Sequence, residues 1–184
     1  MLVDEIIEKY YLKDSVAFRY LNTHSKAVTE LAVKIAEENQ QLNPDMDFIN
    51  EAAMLHDIGI YKTNAPIIGC NGTYPYIAHG YLGRQLLEKE GFPKHALVCE
   101  RHIGVGITLE EILKNKLPLP KREMVPVTTE EKIICLADKF YSKSLEYLES
   151  PKSIQYVRNS LAKFGDEKVD AFDELLKLFD FKDI

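Results

Sequence analysis

Apolar residues recur along this chain at a spacing close to 3.6 wherever a pattern is clear, and no segment carries a convincing run of strict alternation, which points to an all-α fold. Within that repeat the informative positions are those where an ionisable residue stands on an apolar face. A helix from about Thr23 to Asn39 puts His24 on one side with Val28, Leu31 and Ile35. A helix after Pro44 places Ile49, Ala52, Ala53 and His56 at i, i+3, i+4 and i+7, with Asp57 next and Gly59 as its stop. The helix after Thr128 carries Asp138 in a stripe with Ile134, Tyr141, Leu145 and Leu148. Desolvating a carboxylate costs several kcal/mol unless it is paired or binds a metal. A cation shared by these residues removes that cost.

The connections are read from their glycines and prolines. The stretch NAPIIGCNGTYPY is long for a connector, which favours a functional role. A helix near Ile77 to Glu90, closed by Gly91, follows it, and a shorter one from Pro93 carries Val98, Cys99 and His102. Thr108 with Glu111, and Thr128 with Glu131, have the spacing of capping boxes and mark two further helix starts. Between them KLPLPKREMVPV, with three prolines, reads as an exposed excursion. The tail reads as two amphipathic helices split at Gly165, the last presenting Val169, Phe172, Leu175, Leu176 and Phe179. One domain over residues 1–184 is expected, with a motif core at 20–148 and helices in 151–184 packed on it.

Composition removes several function classes. A net charge of −6 argues against gripping long nucleic acid or an anionic membrane through a basic face. Small phosphorylated ligands stay open, because a metal supplies local positive charge. The N-terminal residues do not read as a signal peptide, no apolar run approaches the ~20 residues that span a bilayer, and the three cysteines lack CxxC spacing. The expected location is the cytoplasm. Imidazoles with carboxylates suit Fe, Mn, Co, Ni or Zn in a catalytic rather than a structural site.

His24, the pair His56 and Asp57 within LHDIG, and Asp138 within CLADK resemble the H…HD…D signature of the HD superfamily of metal-dependent phosphohydrolases. His79 in IAHG and His102 in ERHIG fall where two-metal members, such as HD-GYP phosphodiesterases and symmetrical dinucleoside-tetraphosphate hydrolases, place two further histidines. The resemblance covers roughly His24 to Lys143 and implies a helical bundle with metal held between helices. It implies His24, His56, Asp57 and Asp138 for a first divalent ion, and Asp57, His79 and His102 for a second, with Asp57 bridging. One or two ions are compatible with the chemistry.

The implied activity is hydrolysis of a phosphoester or phosphoanhydride of a nucleotide or other small phosphorylated metabolite by metal-activated hydroxide. The HD-GYP lysine three residues after the aspartate is replaced by Ile60, and the GYP triplet is absent after His102, which rejects a cyclic-dinucleotide assignment. Lys62 is the candidate for an equivalent catalytic contact to phosphate or leaving group, beside Asp57. Arg84, Arg101, Lys139 and Lys143 are further candidates for substrate phosphates, and Tyr74 and Tyr76 for lining a pocket. His95 follows a helix start and is left out of the ligand set. Two alternatives share the same donors: a mixed-valence di-iron oxygenase of the superfamily, and a non-catalytic metal-binding regulatory module.

Overall fold

In the computed structural model, which describes residues 3–182, a short helix α1 (Val3–Tyr10) leads into the longest one, α2 (Val16–Glu38). Ser15 fixes the start of α2 earlier than the apolar repeat alone suggests: its side chain accepts from the Phe18 amide, satisfying a donor that the first turn leaves open. Asp45 caps α3 (Met46–Leu55) in the same way through the Phe48 amide. The remaining α-helices are α4 (His79–Lys89), α5 (Pro93–Arg101), α6 (Leu109–Lys114), α7 (Thr129–Lys139), α8 (Ile154–Leu161) and α9 (Asp166–Leu178). The fold is all-α apart from a two-residue antiparallel pair, β1 (Asn64–Ala65) with β2 (Cys70–Asn71), in register Asn64 to Asn71. No helix among the described residues is long and apolar enough to cross a membrane.

Burial explains how these pieces are held. The main core joins α2, α3, α5 and α7 to the C-terminal helices through residues such as Ile35, Ile49, Val98, Ile134, Phe140 and Phe172. A second cluster under α1 gathers Ile7, Leu21, Leu55, Ile58 and Leu87. Along α2, Leu21 belongs to the second cluster and Val28 to the first, and His24 stands between them. The helices α8 and α9, separated at Gly165 with φ 130°, add Val157, Leu161, Leu175 and Phe179 to the main core.

Several local expectations change. Gly59 does not stop α3. The helix ends at Leu55 and passes through His56 and Asp57 into a 3₁₀ turn, Ile58–Lys62. Gly59 is needed for approach: a Cβ there would meet the Gly83 nitrogen at 2.5 Å and overlap the His79 carbonyl, so its bareness lets the turn after Asp57 press against α4. The segment around three prolines is not simply exposed. Leu119 and Met124 are buried with Ile107 and Ile112 in a third cluster, and Met124 exchanges backbone hydrogen bonds of 2.9 Å with Ile107. The stripe after Thr128 is also shorter than expected. Helix α7 ends at Lys139, Leu145 is 83% exposed, and the Lys152 amide donates to the Phe140 carbonyl at 2.7 Å as the chain reverses.

Only one of the two capping boxes is complete. Thr108 and Glu111 cap one another reciprocally, whereas the Glu131 carboxylate accepts from Arg101 and from the Val127 amide instead of closing a box with Thr128.

The Gly59 contact is with backbone, which cannot move aside as a side chain can. Gly59→Ala should therefore cost about 2 kcal/mol or more through overpacking, whereas Gly91→Ala should cost about 1 kcal/mol, since Gly91 has φ 87° but nothing near its Cβ position. Denaturant midpoints of the two variants check this, and equal losses would refute the packing role of Gly59.

Candidate metal centre

Three histidines share one local geometry. His56 and His102 are the C-cap residues of α3 and α5, and His79 follows the 3₁₀ turn Tyr76–Ala78 at the head of α4. Each ring donates from Nδ1 to the carbonyl three residues back: Ala53 at 2.6 Å, Cys99 at 2.8 Å and Tyr76 at 2.6 Å. Carbonyls in the last turn of a helix lack an intrahelical partner, so an imidazole at the helix end can occupy one and keep its Nε2 lone pair for a ligand. His24 lies within α2, where the carbonyls serve the helix. Its Nδ1 is buried with no hydrogen-bond partner among the described residues, and its Nε2 lies 3.0 Å from Asp138 Oδ1.

Asp57 divides its two oxygens between two donor groups. Oδ2 lies 3.2 Å from His24 Nε2 and 3.0 Å from His56 Nε2, and Asp138 Oδ1 lies 3.5 Å from His56 Nε2. Oδ1 lies 3.2 Å from His79 Nε2 and 3.6 Å from His102 Nε2, and those two nitrogens are 3.2 Å apart. Donors about 2.0–2.2 Å from one cation sit roughly 3–3.5 Å from one another. The spacing within each of the two groups therefore suits a single cation, and Asp57 belongs to both groups. His56 Nε2 and Asp57 Oδ1 are buried without hydrogen-bond partners, which a divalent ion on each side would provide. The donor set fits such ions.

Charge is arranged around the same residues. Burial pushes the Asp57 carboxyl up, but the Lys143 ammonium and the His56 ring outweigh it and hold Asp57 well below the usual range. Burial likewise opposes ionisation of Asp138, and the Lys139 ammonium, the hydrogen bond from His24 and the nearby His56 ring reverse it. Burial pulls His56 down, whereas Asp57 and Asp138 carry it up to about 9. His79 is lowered to about 3, first by burial and then by His102 and Lys143 against the pull of Asp57. His79 is thus neutral at pH 7, whereas the two carboxylates favour the protonated form of His56.

The structure brings His24, His56, Asp57, His79, His102 and Asp138 together and leaves Lys62 aside. Lys62 is not among the residues lining the cavity that opens from the donors, and its ammonium lies 5.9 Å from the Tyr61 ring centre. The lysine that reaches Asp57 is Lys143, delivered by the reversal after α7, and Lys139 lies 2.8 Å from Asp138. Arg84 is engaged with Glu88 and Glu100, and Arg101 with Glu131. Tyr76 lines the cavity; Tyr74 does not. His95 lies away from the centre, edge-on to Phe48 and 3.2 Å from Glu51. Residues from α8 and α9, among them Leu161, Phe164 and Lys168, also line the cavity, and nothing in the spacing of the tail marked them for that place.

The helical bundle gathers four imidazoles and two carboxylates at one centre, in two groups that could each hold a metal ion between the helices. The chain belongs to the HD-domain family: the HD domain model matches residues 21–142, and the family is one of metal-dependent hydrolases. It is 38% identical over 128 residues to an uncharacterized protein of Methanocaldococcus jannaschii, a match covering 67% of this chain and 68% of that one. It is 33% identical over 178 residues to a tRNA (cytidine(56)-2'-O)-methyltransferase of Thermoplasma volcanium, covering 96% of this chain but 44% of that protein. A protein of the same name from Picrophilus torridus is 34% identical over 132 residues, 71% of this chain and 34% of its own length. The chain thus spans less than half of either methyltransferase. No solved structure matches it.

The two donor groups predict a stepwise loss. His79→Ala combined with His102→Ala should lower bound divalent metal from about two ions per chain to about one, measured by plasma emission. Unchanged stoichiometry with only a lower melting temperature would make these histidines structural.

Proposed function

We propose that this chain is a metal-dependent phosphohydrolase that cleaves a phosphoester or phosphoanhydride of a small phosphorylated metabolite. The observation that carries the reading is Asp57, whose two oxygens serve two histidine groups while Lys143 binds the same carboxylate at the edge of a cavity of about 1250 Å³. In this reading His24, His56, Asp57 and Asp138 hold one ion, and Asp57, His79 and His102 the other. Ions held there supply a lowered water pKa and positive charge against phosphoryl oxygens.

The chain's own residues do the rest. Asp57 orients both donor groups from a side chain that is 1% exposed, so it is held in place without competition from bulk water. Lys143 and Lys139 line the cavity beside the donors and offer two ammonium groups to a phosphoryl group. Lys143 takes the phosphate-contacting role considered for Lys62. Two ammonium groups beside the donors support phosphoryl chemistry over a di-iron oxygenase, and the cavity supports catalysis over a purely regulatory metal module. We assign methyl transfer in the Thermoplasma and Picrophilus proteins to the parts of those chains that this one does not cover.

Two outcomes are expected with bis(p-nitrophenyl) phosphate and a panel of phosphomonoesters. Removal of metal should abolish turnover, with recovery on adding Mn, Co or Fe, and full activity in verified metal-free protein would sink the mechanism. Lys143→Met should retain metal while lowering kcat/KM by roughly 10–100-fold, the scale for loss of a charge that stabilises the transition state. Wild-type kcat/KM in a metal-loaded Lys143→Met protein would remove this lysine from the site.

A further inference from the structure

The cavity has two chemically different ends. One carries the metal donors, Lys139 and Lys143. The rest is lined largely by aliphatic and aromatic carbon, with Ile67, Ile103, Ile107, Leu117, Leu161 and Phe164 prominent. The charged residues in that region are largely spent on one another. Lys168 donates to the Gly106 carbonyl at 2.7 Å and pairs with Glu111 at 2.6 Å, and Glu111 also accepts from the Thr108 amide at 2.8 Å. The unengaged polar side chains there, Asn64, Asn115 and Lys163, are exposed and stand at the rim, which leaves the deeper wall mostly carbon.

Two of the lining side chains are apolar and exposed. Ile67 is 87% and Phe164 74% exposed, yet both face the cavity. Large apolar side chains kept in water beside a buried reaction centre are in place to be covered by a ligand. The cavity, about 1250 Å³, is larger than a phosphate and a short polar body need. Leu161, Phe164 and Lys168 lie beyond residue 142, where the family match ends, while Ile67, Ile103, Ile107 and Leu117 lie within it, so the C-terminal helices complete a wall that the matched part begins.

Resting on the phosphohydrolase reading, we propose that the substrate is a phosphate ester of an apolar alcohol, with its phosphate at Lys139 and Lys143 and its hydrocarbon body against the Ile67, Ile107, Leu161 and Phe164 wall. Hydrolysis breaks the bond between phosphorus and the alcohol oxygen and forms one from phosphorus to a water oxygen. One water proton ends on the released alcohol, and inorganic phosphate is the other product. Specificity then resides in carbon contacts made by the C-terminal helices and the loop around Pro66, while the donors act on any phosphate delivered to them.

The experiment uses the metal-loaded full chain and n-alkyl phosphates from ethyl to octyl below their micellar concentrations, with nucleoside 5'-monophosphates in parallel. kcat/KM should rise about threefold per added methylene, as burial of hydrocarbon requires, and octyl phosphate should exceed every nucleotide. Phe164→Ser and Ile67→Ser, both at exposed positions that do not hold the core, should each lower the octyl-to-ethyl ratio by about fivefold or more. A flat alkyl series in an active enzyme, or preference for a nucleotide, overturns the proposal and leaves the phosphohydrolase reading standing. Calorimetric titration with ethyl- and octylphosphonate separates the other failure. Octylphosphonate binding more than about 30-fold tighter, with no ester hydrolysed, would keep the apolar wall and retire hydrolysis, and equal binding would retire the wall.

Discussion

Almost everything in this fold answers to one constraint: a carboxylate, Asp57, is 1% exposed and has imidazole nitrogens on both sides. An ion buried this far is tolerated only when positive charge compensates it, because desolvation otherwise costs several kcal/mol. Lys143 reaches it from the turn after α7, His24 from α2, His56 from the end of α3, and His79 and His102 from α4 and α5. Five separate segments converge on one side chain. The close packing of Gly59 on α4 follows from the same requirement, since the turn carrying Asp57 must lie against the helix that begins with His79.

The helical character is legible in the sequence because it rests on local rules, whereas the grouping of His79 and His102 with His24, His56, Asp57 and Asp138 is implied by the family resemblance and not by spacing. Periodicity near 3.6 identifies helices, and an ionisable residue on an apolar stripe identifies buried polarity, which is how His24 and Asp138 stood out. Capping chemistry was legible in part: Thr108 and Glu111 close their box, while Glu131 is diverted by Arg101, a partner from another helix that spacing cannot reveal. Local rules associate glycine with helix termination and so make Gly59 a stop on the sequence alone, but its role depends on α4, a neighbour in space.

The lysines show where the sequence stops informing. Lys62 is near Asp57 in sequence and Lys143 is far from it, yet the fold reverses their order of approach. Which of them arrives depends on α7 ending at Lys139 and the chain turning back, and the continuing apolar stripe through Tyr141 and Leu145 pointed the other way. The tail was readable as amphipathic helices, and Val157, Leu161, Phe172 and Phe179 do enter the main core. That Phe164 and Lys168 also border the cavity was not readable, since surface and cavity walls share the same residue types.

The sharing of Asp57 has a further consequence for the order in which the centre can assemble. His79 and His102 are 23 residues apart along the chain, and helices α4 and α5 that carry them are direct neighbours, whereas His24 and Asp138 are separated by 114 residues. Closing the longer loop costs about 1.4 kcal/mol more in chain entropy. The Oδ1 group therefore comes from one contiguous stretch of sequence, whereas the Oδ2 group is complete only with α7 against α2. The same carboxylate thus ties a short-range half of the centre to a half that spans the bundle, and a finished site requires a finished bundle.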